Sequence, residues 1–509
     1  MGSGAPVITD DPRLGGGSAC VARASSPAKA EIVAHPAIFT SIRTPTGEGY
    51  RIVASSRSLR VEEKQIITRF SPSHEALCSP APDAIGLAAY PLATGRMCVA
   101  YTRTAGAEHT GRRGQRVYTY NLVLEREDYE RFGYNPFAVL RAAMDRDLTE
   151  PQLKPKDPLP PAALTCDGMC VGEDGAFPGG AAGIAVRRHV AHLLMQRKAV
   201  VLQVAGLPTE EAELLWMALP GPLRLTMSMS AGLRYSNTRA HHLVVVSGDD
   251  ARSRELCEGQ ETTFIDAARS VETAPVRSEW LDFVERQWRR DRIGELSRRT
   301  SLAFSNPALR SLDQVGKWYL AADEVEQADV PRLLAMSAEF VDLAPAGGIE
   351  RDIHARLTQN LQQRLITTLG AGSLEEIERH WSSLSGLWKR SRSCEAFTWP
   401  VARTCILRLA DLSPLSAARL ALSIAKAPDH GGRPADHDLV LVGVLRRFDA
   451  WTRLQEGDPN PDIETVVGMW RHQRPDLAPI LSFAPPAAEA SPPPTTADAI
   501  LLCPPSSGV

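Results

Sequence analysis

The hydrophobic period of this 509-residue chain changes once, near residue 275. Before that point apolar residues come in short alternating or continuous runs broken by Gly, Pro and Asn, a pattern of strands mixed with helices. After it they recur every three to four residues. Trp280, Val284 and Trp288 stand at i, i+4 and i+8, and Ile353, Leu357, Leu361 and Leu365 repeat the spacing. Each set forms one stripe of an amphipathic helix packed on others. The expected class is α+β, with a mixed strand and helix N-terminal half followed by an all-α helical C-terminal half.

Within the first half, AIFTSI (37–42), YRIVAS (50–55), RMCVAYTR (96–103), RVYTYNLVL (116–124), AVVLQVAGL (199–207), LRLTMSMSAGL (223–233) and HHLVVVSGD (241–249) read as strands. VEEKQIITRF (61–70), PFAVLRAAM (136–144), RHVAHLLMQR (188–197) and EEAELLWMALP (210–220) read as helices, the last capped by Thr209. The Pro-rich link PQLKPKDPLPP (151–161) separates an α+β module over 31–150 from a second α/β subdomain over 162–260. A helical domain is expected over 275–482. Residues 1–30, rich in Gly, Ser, Ala and Pro, read as a disordered leader, and 483–509 as a disordered Pro-rich tail.

Net charge is −3, with both signs spread along the chain. Bulk binding to nucleic acid or to an anionic membrane needs clustered Lys and Arg, so neither is expected. No run approaches about 18 apolar residues, so no membrane-spanning helix is expected. The opening MGSGAPVITDDPRLGGGS lacks a charged n-region and an apolar h-region, and Pro6 breaks the myristoylation pattern. With nine cysteines, an odd number, reduced thiols in the cytoplasm are expected. Arg far outnumbers Lys, which with abundant Ala and Pro points to a GC-rich bacterial genome.

The motifs that carry common chemistries are missing. No G-x-x-x-x-G-K-[ST] phosphate loop, G-x-S-x-G elbow or H-E-x-x-H pair occurs, and the Gly-rich run GEDGAFPGGAAG (172–183) lacks the Lys and Ser/Thr of a phosphate loop. Cys166 and Cys170, with His189 and His192, make one loose zinc set, C-x3-C followed by H-x2-H. Its gap is longer and its His pair tighter than in a zinc finger, so ordinary structural roles compete with a zinc-stabilised module. No cofactor is otherwise expected. The pair His241–His242 opens a strand and points to opposite faces, a poor geometry for joint metal binding. The basic stretch VERQWRRDRIGELSRR (284–299), with acidic residues interleaved, reads as a solvated helix face.

The loop in GAEHTGRRGQRVYTYNLVL (106–124) is the main candidate contact surface. It joins two strands, so glycines that accept positive φ and arginines that solvate a turn explain it as a connection. The same residues offer a second use. Arg103, His109, Arg112, Arg113 and Arg116 form a candidate anion or partner contact, and backbone N–H groups near Gly111 and Gly114 suit an anion nest. No catalytic residue is assigned.

Several segments then take on a family likeness in order: HPAIFTSIRTPTGEGYRIVASS (35–56), SPSHEAL (71–77), CVAYTRTAGAEHTGRRGQRVYTYNLVL (98–124), NPFAVLRA (135–142) and ALPGPLRLTMSMSAGL (218–233). Together they resemble the N-terminal region of bacterial GTPase-associated proteins of the first type, and also uncharacterised proteins of planctomycete-like bacteria. The resemblance implies a non-enzymatic adaptor or accessory protein of a GTPase-centred conflict or regulatory system, binding a protein partner that is itself a GTPase or works beside one. The alternative is an enzyme or ligand-binding module with an anion site near 103–116.

Overall fold

The structure, a computed structural model, describes residues 30–44, 47–107, 115–152, 155–166, 183–248, 251–269, 276–345, 347–425, 436–454 and 461–481. All of the expected leader except residue 30, and the whole of the expected tail, lie outside them. The chain divides into two compact units, residues 1–317 and 318–509.

The first unit is built on a ten-stranded sheet, counted among the described residues: β1 (Ala30–Thr44), β2 (Gly47–Ser55), β3 (Ile85–Pro91), β4 (Met97–Ala107), β5 (Gln115–Leu124), β6 (Ala162–Cys166), β7 (Ala199–Val204), β8 (Met229–Ala231), β9 (Leu243–Ser247) and β10 (Thr262–Asp266). Their order is β10-β7-β9-β8-β3-β4-β5-β1-β2, with β6 pairing the start of β1. From β3 to β2 every pairing is antiparallel: two hairpin-linked groups, β3-β4-β5 and β1-β2, joined by the non-sequential pairing of β5 with β1. From β8 to β10 every pairing is parallel. The sheet thus runs without a break across the two regions that the Pro-rich link separates in sequence. The seam is β8, three residues that pair antiparallel with Leu87–Ala89 on one side and parallel with Leu243–Val245 on the other.

Helices α1 (Val61–Phe70), α2 (Arg126–Arg131), α3 (Pro136–Met144), α4 (Ile184–Met195), α5 (Pro208–Met217), α6 (Gly221–Arg224), α7 (Ala251–Cys257), α8 (Glu279–Arg289) and α9 (Ile293–Thr300) surround it. In the antiparallel half Ile67 of α1 joins Tyr90, Cys98, Val117 and Val123 in one core. In the parallel half β7 and β9 are almost wholly apolar and buried on both faces, as central parallel strands must be. Val201, Val244 and Val246 pack with Cys257 of α7, while α5 lies against β8 and β9.

Two local expectations need revising. The stretch 223–233 is a strand only at its end, because Pro222 presets the helical φ in the first turn of α6. Thr209 does not cap α5. The helix starts two residues earlier than expected, with Pro208 in its first position. The basic stretch 284–299 is two helices, and its charges pair locally, Arg289 with Glu285 and Arg298 and Arg299 with Glu295.

Helix α10 (Leu309–Glu324) runs through the division between the units. The second unit continues with α11 (Val330–Phe340), α12 (Gly348–Gly370), α13 (Leu374–Trp388), α14 (Arg392–Leu412), α15 (Pro414–Ala425), α16 (His437–Arg453) and α17 (Pro461–Gln473). Successive helices pack as neighbours from α13 to α16, and α12 also packs on α14. Three of its buried tryptophans have polar partners: Trp381 Nε1 donates to Ser423, Trp399 Nε1 to Asp436 and Trp470 Nε1 to the Ala418 carbonyl.

Candidate functional site

The β4–β5 hairpin flanks the arginine-rich segment, whose residues 108–114 lie outside the described residues. Its register shifts between Thr104 and Ala107, a bulge that Gly106 accommodates at φ +88°. Arg116 sits across from that bulge, and its Nε (3.0 Å) and Nη2 (2.6 Å) donate to the Ala105 carbonyl. Arg103 donates through Nη1 to Glu150 at 2.7 Å, an exposed ion pair. Thr104 and Gln115 tie the hairpin's base to the Pro82 and Pro80 carbonyls. The two described candidates therefore reach separate protein partners and do not converge. His109, Arg112 and Arg113 lie outside the described residues.

Behind the hairpin a buried carboxylate pins α1 to the β3–β4 turn. Glu63 is fully buried, and its oxygens accept from the Thr94 hydroxyl (2.7 Å), the Arg60 N–H (2.9 Å) and Arg96 Nη1 (3.2 Å). Burial alone would raise its pKa, but the Thr94 and Arg60 hydrogen bonds and the Arg96 charge outweigh that and hold it below the ordinary value. A carboxyl depressed on folding stabilises the protein above its unfolded pKa, and that stability is lost as pH falls through the folded value. Glu63→Gln is expected to cost about 1.5 kcal/mol at pH 7, with the difference from wild type shrinking below pH 4.5. Urea titrations at pH 7 and pH 3 check this. An undiminished difference at pH 3 would show that the ionised carboxylate is not the source.

The zinc set does not assemble among the described residues. Cys166 is buried on β6 and donates its thiol to the Arg131 carbonyl at 3.2 Å. His189 and His192 lie on α4, where His192 Nε2 is 2.8 Å from the Gln196 amide. No group of three or more His, Cys, Asp or Glu among the described residues is placed to hold a metal ion, and Cys170 lies outside them.

A second feature, a cleft of about 500 Å³, opens at the amino ends of β7, β9 and β10. Arg197, Lys198, His241, His242, Glu261 and Thr262 line it. Parallel pairing of Val200 with Leu243 and of Ala199 with Thr262 brings these three segments together. Arg197 ends α4 in the left-handed region, at φ +60°, where glycine is the favoured residue. His242 Nδ1 accepts from the Ser228 N–H at 3.1 Å, so the neutral ring carries its proton on Nε2. Burial, then the Arg197 charge, lowers the pKa of His242. His241 is only 4% exposed and tilts against Phe70 with ring centroids 5.1 Å apart. Burial pulls its pKa down to about 3, and its Nδ1 has no hydrogen-bond partner.

Sequence reasoning missed this cleft. It set His241–His242 aside as structural and did not single out Arg197 or Lys198. Neither dipeptide carries a recognisable spacing, and only the parallel pairing of distant strands makes them neighbours.

No curated protein matches the chain. A family model, GTPase-associated protein 1, N-terminal domain type 2, matches residues 34–163. The match begins on β1, ends on β6 and takes in α1 to α3, so it follows the antiparallel half of the sheet and stops before the parallel half. Over that quarter of its length the chain is similar to the N-terminal domain of GTPase-associated protein 1; the segments 35–56, 71–77, 98–124 and 135–142 fall inside the match and 218–233 falls outside it.

Proposed function

We propose that this chain is an accessory protein of a GTPase-centred system, an adaptor that recognises a protein partner and has no catalytic step of its own. The observation that carries this reading is the match of residues 34–163 to a GTPase-associated N-terminal domain. The hairpin suits a contact surface, since β4 and β5 are buried over most of their length and anchor the loop between them. The helical unit supplies the scaffold. The competing anion-site reading at 103–116 would rest on His109, Arg112 and Arg113, because Arg103 and Arg116 already engage Glu150 and the Ala105 carbonyl.

The test is affinity capture from the native host with the full chain and with the Arg112→Ala/Arg113→Ala double variant, bound proteins being identified by mass spectrometry. The expected result is a GTPase, or a protein of a GTPase-containing complex, recovered by wild type and lost by the variant. The variant's Tm should be unchanged, because the sequence reads this stretch as a turn, where substitutions usually change stability little. Equal recovery by both would move the contact off the hairpin. Recovery of no such protein by either would sink the adaptor reading.

A further inference from the structure

We infer that the cleft at the amino ends of β7, β9 and β10 binds a small phosphorylated molecule. The site lies outside the matched residues 34–163 and is independent of the adaptor reading.

Its volume, about 500 Å³, falls in the range of roughly 300–1,000 Å³ typical of small-molecule sites. Its charge is distinctive. Many arginines on this unit meet a carboxylate, as Arg43 meets Glu48 and Arg289 meets Glu285. Arg197 and Lys198 are exposed at the mouth of the cleft and have no ion pair among the described residues.

The cleft's neutral groups complete a receptor for a multi-oxygen anion. His242, its proton fixed on Nε2 by the Ser228 N–H, is a donor, and Thr262 adds a hydroxyl. His241, walled in by Phe70 and Tyr90, brings a buried ring nitrogen that no protein group satisfies. A guanidinium and an ammonium lining one cleft match a phosphoryl group, which accepts bidentate bonds from the first and a point charge from the second. Glu261, the carboxylate of the lining, suits a hydroxyl or amine elsewhere on the same ligand.

Isothermal titration of the full chain with inorganic pyrophosphate at low ionic strength tests the inference, with citrate as a carboxylate of comparable charge. Saturable binding of one pyrophosphate per chain is expected, with citrate markedly weaker. Arg197→Gly should weaken pyrophosphate binding about tenfold or more, the usual loss for a charge-assisted hydrogen bond. Its Tm should be equal to wild type or higher, since glycine relieves the left-handed backbone. Lys198→Ala should also weaken binding, and Arg43→Ala on β1 should not. Absence of saturable binding, or equal affinity in wild type, Arg197→Gly and Lys198→Ala, would overturn the site. Citrate binding as tightly as pyrophosphate would overturn its assignment to phosphorylated molecules.

Discussion

Arg224→Ala is expected to destabilise the first unit by about 4 kcal/mol, the upper range for removing a buried, fully bonded side chain. Arg224 is completely buried. Its Nε donates to the Leu219 carbonyl at 2.8 Å, Nη1 to the Gly133 carbonyl at 2.9 Å and Nη2 to the Met217 carbonyl at 3.1 Å. Thr300 and Ser301 of the α9 terminus accept from the same guanidinium. Burial lowers its pKa to about 9, which still leaves it charged at neutral pH. Two effects oppose each other in the variant. Removing a desolvated cation relieves a cost, but it orphans the Leu219 carbonyl, opens a cavity and leaves α9 tied to the end of α5 through the Thr300 hydroxyl on the Met217 carbonyl without the guanidinium's support. The second should win, because the Arg224 bonds are charge-assisted and reach three separate elements. Arg224→Lys should recover little, since an ammonium cannot reach in all those directions at once. Urea unfolding, with hydrogen exchange followed in peptides covering 217–224, measures this. A loss under about 1 kcal/mol would show that desolvation relief offsets the bonds.

The next largest effect concerns Gly316 on α10. In an open helix position Gly→Ala stabilises by about 0.5–1 kcal/mol through helix propensity. At Gly316 the added Cβ would stand 2.5 Å from the Trp280 backbone nitrogen and 2.6 Å from the Glu279 carbonyl carbon and oxygen. These are backbone atoms of the first turn of α8, which Ser278 and Asp313 fix through hydrogen bonds. They cannot rotate away as a side-chain end would. The clash should exceed the propensity gain and leave Gly316→Ala about 2–3 kcal/mol less stable. Gly443→Ala on α16 is the matched control. Nothing lies within 4 Å of its Cβ position, so the propensity gain should appear alone. The two variants should shift Tm in opposite directions, and a rise for both would mean that α10 and α8 separate easily.

Much of the fold is legible in the sequence, and the illegible parts share a cause. The switch to helical spacing, the β4–β5 hairpin and the buried runs of β7 and β9 all stand out, because each advertises itself within about ten residues. Strand β3 does not. IGLAAYP is rich in small residues, and Gly86 is needed because Leu233 packs where its Cβ would be, at 2.4 Å. The pairing of Leu87 with Ala231 joins segments some 140 residues apart and leaves no local trace. The same holds for sites. The hairpin arginines are visible as charges in a loop, but that Arg116 would turn back onto Ala105 depends on a bulge. The stretch ALPGPLRLTMSMSAGL, quoted above for its family likeness, proves architectural at several positions. Arg224 is a buried hub, Ser228 fixes the His242 tautomer, and Gly232 sits at φ +71° with the Ile85 carbonyl 2.4 Å from where a Cβ would be.

The three-residue seam at β8 also bears on how the chain is made. Strands β1 to β6 find all their mutual partners by Cys166, so the antiparallel half can assemble on the ribosome before the parallel half exists. The β3 edge then waits for β8, whose last residue, Ala231, comes 65 residues later. At about 5–20 residues per second that interval is roughly 3–13 s. For that time a seven-residue, largely apolar strand presents unpaired N–H and C=O groups, a template for pairing with a neighbouring nascent chain. A fragment ended at Cys166 would carry this sticky edge permanently and should aggregate through it.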